Sequence, residues 1–185
     1  MFKTIILMTL IILSNLSFGE DREYLISSSI DYAVKGDYVQ NSVGVCAGFV
    51  EGDIFAGLFF DASSNLAAKD GTKANNKSEY GLMGQKNGKD LNTRLTAMKK
   101  TYINGSIIES KVTFIPEVSK TFSIGRRMSL RPSAHVITGE RFGGGAALGI
   151  GYAVTPNGSL SVQIKEEVFG GMKSSLISVG IGFGF

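Results

Sequence analysis

Apolar and polar residues alternate along most of the chain beyond residue 22. A period of two is typical of β-strands with one apolar and one polar face, and no long stretch follows the 3.6-residue period of a helix. Ten strands are predicted, over residues 26–35, 42–49, 54–61, 79–86, 91–98, 108–118, 128–136, 146–154, 160–165 and 177–185. The fourth and fifth are the weakest, so a count of eight stays open.

The connections between these strands alternate in length. The second, fourth, sixth and eighth are short, and two of them contain Asn-Gly, a strong hairpin signal because both residues tolerate a positive φ. The longest connection is an odd one, over residues 62–78, rich in Ser, Asn, Lys and Ala. Short turns at one end and longer loops at the other are typical of an outer-membrane barrel.

The N-terminus has the features of a secretory signal peptide. Lys3 gives a basic start, residues 4–13 are apolar, and Ser17 and Gly19 are small residues before a cleavage site. The apolar run is shorter than the ~20 residues that a membrane-spanning helix needs. We therefore expect a signal peptide over residues 1–19 and a single mature domain over residues 20–185. Cys46 is the only cysteine, so no disulfide can form within the chain.

Composition narrows the class of protein further. Only 19% of the residues are charged, and the 24 glycines suit a chain of strands and turns. A net charge of +3, scattered along the chain, gives no basic patch for nucleic acid.

Alternation alone does not say which face points inward, and two arrangements compete. A soluble barrel places its apolar face inside, whereas a membrane barrel turns that face out to lipid. The polar faces here are small and carry charges of both signs, which suits a narrow interior. Aromatic residues fall near the predicted strand ends, as interfacial girdles would: Tyr24, Tyr38, Phe60, Tyr80, Tyr102, Phe122 and Phe142. The predicted inward polar set is Asp31, Arg94, Glu109, Lys111, Glu117, Arg131, His135 and Lys165.

The last strand carries a more specific signal. Val179, Ile181, Phe183 and Phe185 share one face, and Phe185 is the final residue. This segment resembles the C-terminal signature of Gram-negative outer-membrane proteins. The resemblance implies recognition by the outer-membrane barrel assembly machinery. The rest of the chain resembles the small OmpA/OmpX-type or porin-like barrels in pattern only.

An enzyme is the main alternative from another class. Some outer-membrane barrels are lipid A deacylases that use His, Ser and Glu, and Ser133 and His135 share a strand face, with Glu140 nearby. A Ser–His–acid site needs the hydroxyl within hydrogen-bond reach of the imidazole. However, the predicted face is the interior, and the His-x-Ser order of that family is reversed here. One His and one Cys on different strands give no recognised metal spacing.

The sequence thus predicts an all-β protein, an antiparallel up-and-down transmembrane β-barrel of eight to ten strands, with ten preferred. We expect a non-enzymatic, monomeric outer-membrane protein with a structural, porin-like or surface-interaction role and no cofactor. Its expected partners are the lipid bilayer, lipopolysaccharide and the assembly machinery, and not nucleic acid. A lipid A-modifying enzyme and a soluble periplasmic ligand-binding barrel remain the alternatives.

Overall fold

The computed structural model describes residues 23–36, 38–68, 73–104, 107–139, 142–169 and 171–185. The predicted signal peptide, residues 1–19, lies outside these ranges. Within them the chain forms eleven β-strands, and no helix is long and apolar enough to cross a membrane. The strands are β1 (Glu23–Gly36), β2 (Tyr38–Glu51), β3 (Ile54–Ala68), β4 (Lys73–Asn87), β5 (Asn92–Asn104), β6 (Ile107–Ser119), β7 (Phe122–Ile124), β8 (Met128–Ile137), β9 (Gly143–Thr155), β10 (Gly158–Phe169) and β11 (Met172–Gly184).

The strands close into an antiparallel barrel. Sequential neighbours pair from β1 to β6 and from β7 to β11, β1 pairs with β11, and β6 pairs with β8. The first and last strands are joined along their length, and the backbones of Tyr24 and Phe185 exchange two hydrogen bonds of 3.0 and 2.8 Å. Closure pairs every strand with a neighbour on each side, which removes the exposed edges of an open sheet.

β6 and β7 are two segments of one strand, so the barrel has ten strands and the predicted count is confirmed. Both segments pair with β8 in one continuous register. Ser119 lies opposite Ser133, and Phe122, three residues later, lies opposite Leu130, three residues earlier on the antiparallel strand. The alternative count of eight is excluded, because the fourth and fifth predicted strands are β4 and β5.

Two prolines explain the interruption. Phe114 and Thr138 exchange both backbone hydrogen bonds, which places hydrogen-bonded pairs at every second position along β6 and β8. Pro116 and Pro132 fall on such positions and have no N–H to donate. The Lys120 N–H still donates to the Pro132 carbonyl at 3.1 Å, but Pro132 has no N–H to donate to the Lys120 carbonyl. The seam between β6–β7 and β8 therefore lacks two backbone hydrogen bonds.

The two ends of the barrel differ less than the sequence predicted. One end, called here the turn end, carries the short connections 52–53, 88–91, 125–127 and 156–157. Gly52 and Gly125 have positive φ values of 58° and 71°, as tight turns require. At the opposite loop end, the predicted long connection over residues 62–78 is wrong. β3 continues to Ala68 and β4 begins at Lys73, so most of that segment is strand. For the same reason Phe60 and Tyr80 lie opposite each other in mid-strand and not near a strand end.

Large apolar side chains cover the outside of the barrel. Those exposed on the strands include Ile30, Tyr32, Leu58, Leu82, Leu95, Val112, Phe114, Val118, Leu148, Ile150, Leu160, Val162, Ile164, Val179, Ile181 and Phe183. A water-soluble protein of this size rarely exposes a continuous apolar surface of such extent. An apolar outer face and a polar inner face are the arrangement of a membrane-spanning barrel.

The inner wall has two unlike halves. Gly and Ser line the inside of β9, β10, β11, β1 and β2, for example Gly149, Ser161, Gly180, Ser29 and Gly44. The inside of β3 to β8 carries large side chains, among them Phe55, Met98, Glu117, Arg131 and His135. The large side chains extend into the space that the small residues leave.

Candidate functional site in the barrel interior

The strand registers place the described members of the predicted polar set on the inner face: Asp31 on β1, Arg94 on β5, Lys111 and Glu117 on β6, Arg131 and His135 on β8, and Lys165 on β10. Glu109 lies on β6, but its side chain is outside the described part of the structure. The structure brings some of these residues together in two clusters.

The first group, called here the arginine cluster, lies in the half of the barrel nearer the turn end. Glu117 is an ion-pair partner of Arg94 and also of Arg131, whose Nη2 lies 3.2 Å from its Oε1. Arg131 also donates to Ser119 Oγ at 3.1 Å and to Gln85 Oε1 at 3.5 Å. Glu117 is buried, with 6% of its side chain exposed, whereas Arg94 and Arg131 keep 28% and 32%. One carboxylate thus holds two guanidiniums that remain in contact with the interior space.

The second group joins two strands that are not neighbours. His135 on β8 reaches past β9 to β10, where its Nε2 lies 3.0 Å from Glu167 Oε1, an ion-pair distance without hydrogen-bond alignment. Lys165 lies 2.9 Å from the same carboxylate oxygen. Gly145 stands between His135 and Glu167 on β9. Its missing side chain leaves the gap through which the two side chains meet.

Gly145→Ala is therefore expected to displace this group. The new Cβ would lie 2.3 Å from the Glu166 carbonyl oxygen, 2.8 Å from His135 Cε1 and 3.0 Å from Glu167 Cγ. We expect a loss of about 1–3 kcal/mol in the free energy of unfolding, as for other overpacked sites. Urea titration of the refolded protein in phospholipid vesicles measures this loss. Gly84→Ala is the matched control, because a Cβ there meets nothing within 4 Å. Equal effects of the two changes would contradict the assignment.

A third contact crosses the interior near the loop end. Lys100 on β5 lies 3.1 Å from Glu79 on β4, and its Nζ is 5.6 Å from the centre of the Phe169 ring on β10. Because β5 and β10 are four strand positions apart around the closed sheet, this contact spans the barrel. Sequence analysis missed Glu79, Glu167 and Phe169. The alternation around Glu79 is weak, and the ninth predicted strand ended before Glu167.

The interior offers paired charges and accessible space. Glu140 lies outside the described residues, and the two described members of the suggested triad, Ser133 and His135, are not hydrogen-bonded to each other. Ser133 Oγ is buried without a hydrogen-bond partner, so His135 is not placed to act as its base. Among the described residues no group of three or more His, Cys, Asp or Glu side chains could hold a metal ion. Ser161, on the Gly/Ser half of the wall, is exposed although it faces inward. Solvent-accessible space therefore lies beside Ser161.

Three residues of the predicted assembly signal lie on β11, and the fourth, Phe185, directly follows its last residue. Val179, Ile181, Phe183 and Phe185 are exposed by 40–62% on the outer face. On the inner side of β11 the residues opposite β1 are Ser178, Gly180 and Gly182. The strand therefore presents an apolar row to the outside and small residues to the interior.

The fold and its two faces define the class of protein: the chain has the fold of an integral outer-membrane β-barrel. The translocator domain of the autotransporter NalP from Neisseria meningitidis has a TM-score of 0.52 with this chain and 10% identity, covering 95% of this chain and 92% of that one. The Neisserial surface protein A has a TM-score of 0.42 and 14% identity, covering 90% of this chain and 99% of that one. The KdgM porin has a TM-score of 0.46 and 13% identity, covering 89% of this chain and 98% of that one. No protein-family model matches the sequence, and no curated protein is similar enough to count as a relative.

Proposed function

We propose that this protein is an integral outer-membrane barrel that acts as a narrow, porin-like pore for small hydrophilic solutes. The observation that supports this proposal is an apolar outer face around an interior in which inward-facing polar side chains keep access to solvent. A barrel filled entirely by side chains would leave residues such as Ser161 and Arg131 buried.

The clusters described above set the width of the pore. The arginine cluster narrows the half nearer the turn end, and the contact between Lys100 and Phe169 narrows the half nearer the loop end. Among the side chains that the structure describes, five inward acidic ones (Asp31, Asp61, Glu79, Glu117 and Glu167) balance five inward basic ones (Arg94, Lys100, Lys111, Arg131 and Lys165). We expect conduction along the small residues of the Gly/Ser half, past the larger inward side chains Lys165, Glu167 and Phe169 on β10.

The same geometry argues against a lipid-modifying enzyme, and we propose that the protein is not one. An acyl chain in the bilayer reaches the outer face, whereas His135 faces inward with only 4% of its side chain exposed. Its nearest acidic partner, Glu167, is also held by Lys165.

We further propose that the turn end faces the periplasm and the loop end faces the outside, where lipopolysaccharide is the neighbouring lipid. The assembly machinery would recognise the outer face of β11 together with Phe185, which follows it, since these carry the four residues of the predicted signal. A monomer is expected, because the closed wall leaves no strand edge to pair with a second copy.

Single-channel recording in planar bilayers tests the pore. The wild-type chain should give small, uniform conductance steps, and Arg131→Ala should increase them, since it removes a side chain that projects into the narrow half. Val162→Ala, on the outer face, serves as the control and should leave the step size unchanged. Absence of steps from both the wild type and Arg131→Ala would contradict the proposal, provided that both proteins show heat-modifiable migration.

A further inference from the structure

An apolar groove of about 750 Å³ lies on the outer face of the barrel, over the proline seam. It lies between two rows of outward-facing residues, and each row crosses several strands. The upper row is the one nearer the loop end, and the lower row is the one nearer the turn end. The upper row is Gly84, Leu95, Pro116 and Val136, and the lower row is Lys86, Thr93, Val118 and Ala134, with Ile54 beside Lys86. Gly84, Thr93 and Ala134 are short, and this leaves a depression between bulkier neighbours. The two rows cross four adjacent strands, β4, β5, β6 and β8, which gives the groove a width of ~14 Å across the sheet, and Ile54 on β3 borders it.

Basic side chains border the groove on the side of the turn end. Lys86 belongs to its lining. Lys120 follows the end of β6 and is the next outward residue beyond Val118, with its Nζ 5.4 Å from the centre of the Phe122 ring. Lys89, Arg126 and Arg127 are exposed in the adjoining turns. We call these five residues the basic rim. Two acidic residues lie on the same side, Asp90 beside Lys89 and Asp53 beside Ile54, so the basic rim sets five positive charges against two negative ones.

We infer that the groove and the basic rim form a binding site for an anionic phospholipid, with one acyl chain in the groove and the phosphate at Lys86 and Lys120. The groove lies within the apolar outer face, so an occupant must be hydrocarbon there. The rim lies at the end of the strands, where a headgroup would be placed, and its charge complements a phosphate. The volume lies within the range of pockets that hold small lipophilic ligands. This inference rests on the proposed membrane insertion and is independent of conduction.

The seam gives the lipid a structural role. Pro116 lines the groove, so one of the two missing backbone hydrogen bonds lies in the wall beneath it, and the other, at Pro132, lies just beyond its lower row. An ordered acyl chain packed over this line would contact side chains of both β6 and β8, and would hold the two strands together where backbone pairing is weakest.

Native mass spectrometry of the full folded chain in detergent tests the site with phosphatidylglycerol and phosphatidylcholine of identical acyl chains. We expect one phosphatidylglycerol to be retained in preference to phosphatidylcholine. Lys86→Gln and Lys120→Gln should each weaken its retention about fivefold, the equivalent of ~1 kcal/mol per basic residue near an anionic surface. Lys99→Gln is the matched control, because Lys99 is an exposed outward lysine on β5 in the half nearer the loop end.

A second pair of variants tests the groove itself. Gly84→Phe should fill it and lower the retention of both lipids, whereas Ile30→Phe, outward on β1, should not. Equal retention of the two lipids, or an equal effect of Lys99→Gln, would overturn the inference. So would a second copy of the chain retained in place of lipid. Heat-modifiable migration of every variant separates these outcomes from a failure of membrane insertion.

Discussion

Leu82→Arg is expected to lower the free energy of unfolding by about 2–4 kcal/mol when the protein is folded into phospholipid vesicles. Leu82 is outward in mid-strand on β4, next to Leu58 on β3, and 64% of it is exposed. A guanidinium at this position would have to leave water for hydrocarbon. The same change at an exposed site of a water-soluble protein usually alters the free energy of unfolding by less than about 0.5 kcal/mol. The size of the loss therefore shows whether lipid or water surrounds the apolar face.

Equilibrium unfolding in urea provides the measurement for this variant. Far-UV circular dichroism follows the unfolding, because the chain has no tryptophan to give a fluorescence signal. Leu82→Met keeps an apolar side chain of similar volume and should change stability by less than about 1.5 kcal/mol. If Leu82→Arg is as stable as the wild type, and if the protein stays monodisperse without detergent, the membrane-spanning orientation is wrong.

Glu117→Gln is expected to be the most damaging change in the interior, with a loss of about 3 kcal/mol. The substitution leaves Arg94 and Arg131 facing each other with no carboxylate between them. We place the loss at the lower end of the range for a broken buried ion pair, because both guanidiniums keep access to interior water.

The double variant Glu117→Gln with Arg131→Gln separates electrostatics from packing. It removes one of the two opposed positive charges, so it should recover part of the loss seen with Glu117→Gln alone. Urea unfolding in vesicles compares the four proteins of this cycle. Strictly additive losses would show that the arginine cluster does not act as a unit.

Alternation was enough to predict the ten strands and which residues share a face, whereas the orientation of the faces had to be inferred from the small polar faces, the aromatic positions and the last strand. It worked because lipid on one side and a narrow polar space on the other impose opposite demands on neighbouring residues. It failed over residues 62–78, where β3 and β4 continue with Ser, Asn and Lys. Backbone hydrogen bonding sustains a hairpin there without an apolar row, so the residues give no sign of it.

The inward polar set could be proposed from the sequence, but not its partners. Arg94 and Glu117 meet because they are paired across β5 and β6, a register that alternation does not determine. His135 meets Glu167 only because Gly145 lies between them, and glycine in this chain has many other uses. The Lys100–Phe169 contact depends on closure of the whole sheet. Long-range contacts of this kind need the three-dimensional arrangement.

The two prolines also give the cylinder a preferred line of opening. Other strand pairs also contain irregularities, such as the register shift between Ala33 and Lys35 against β11, but at Pro116 and Pro132 two backbone donors are absent from one pairing. Local opening of the wall by thermal motion should be most frequent along this line, and we expect the strands to separate there first when the barrel unfolds.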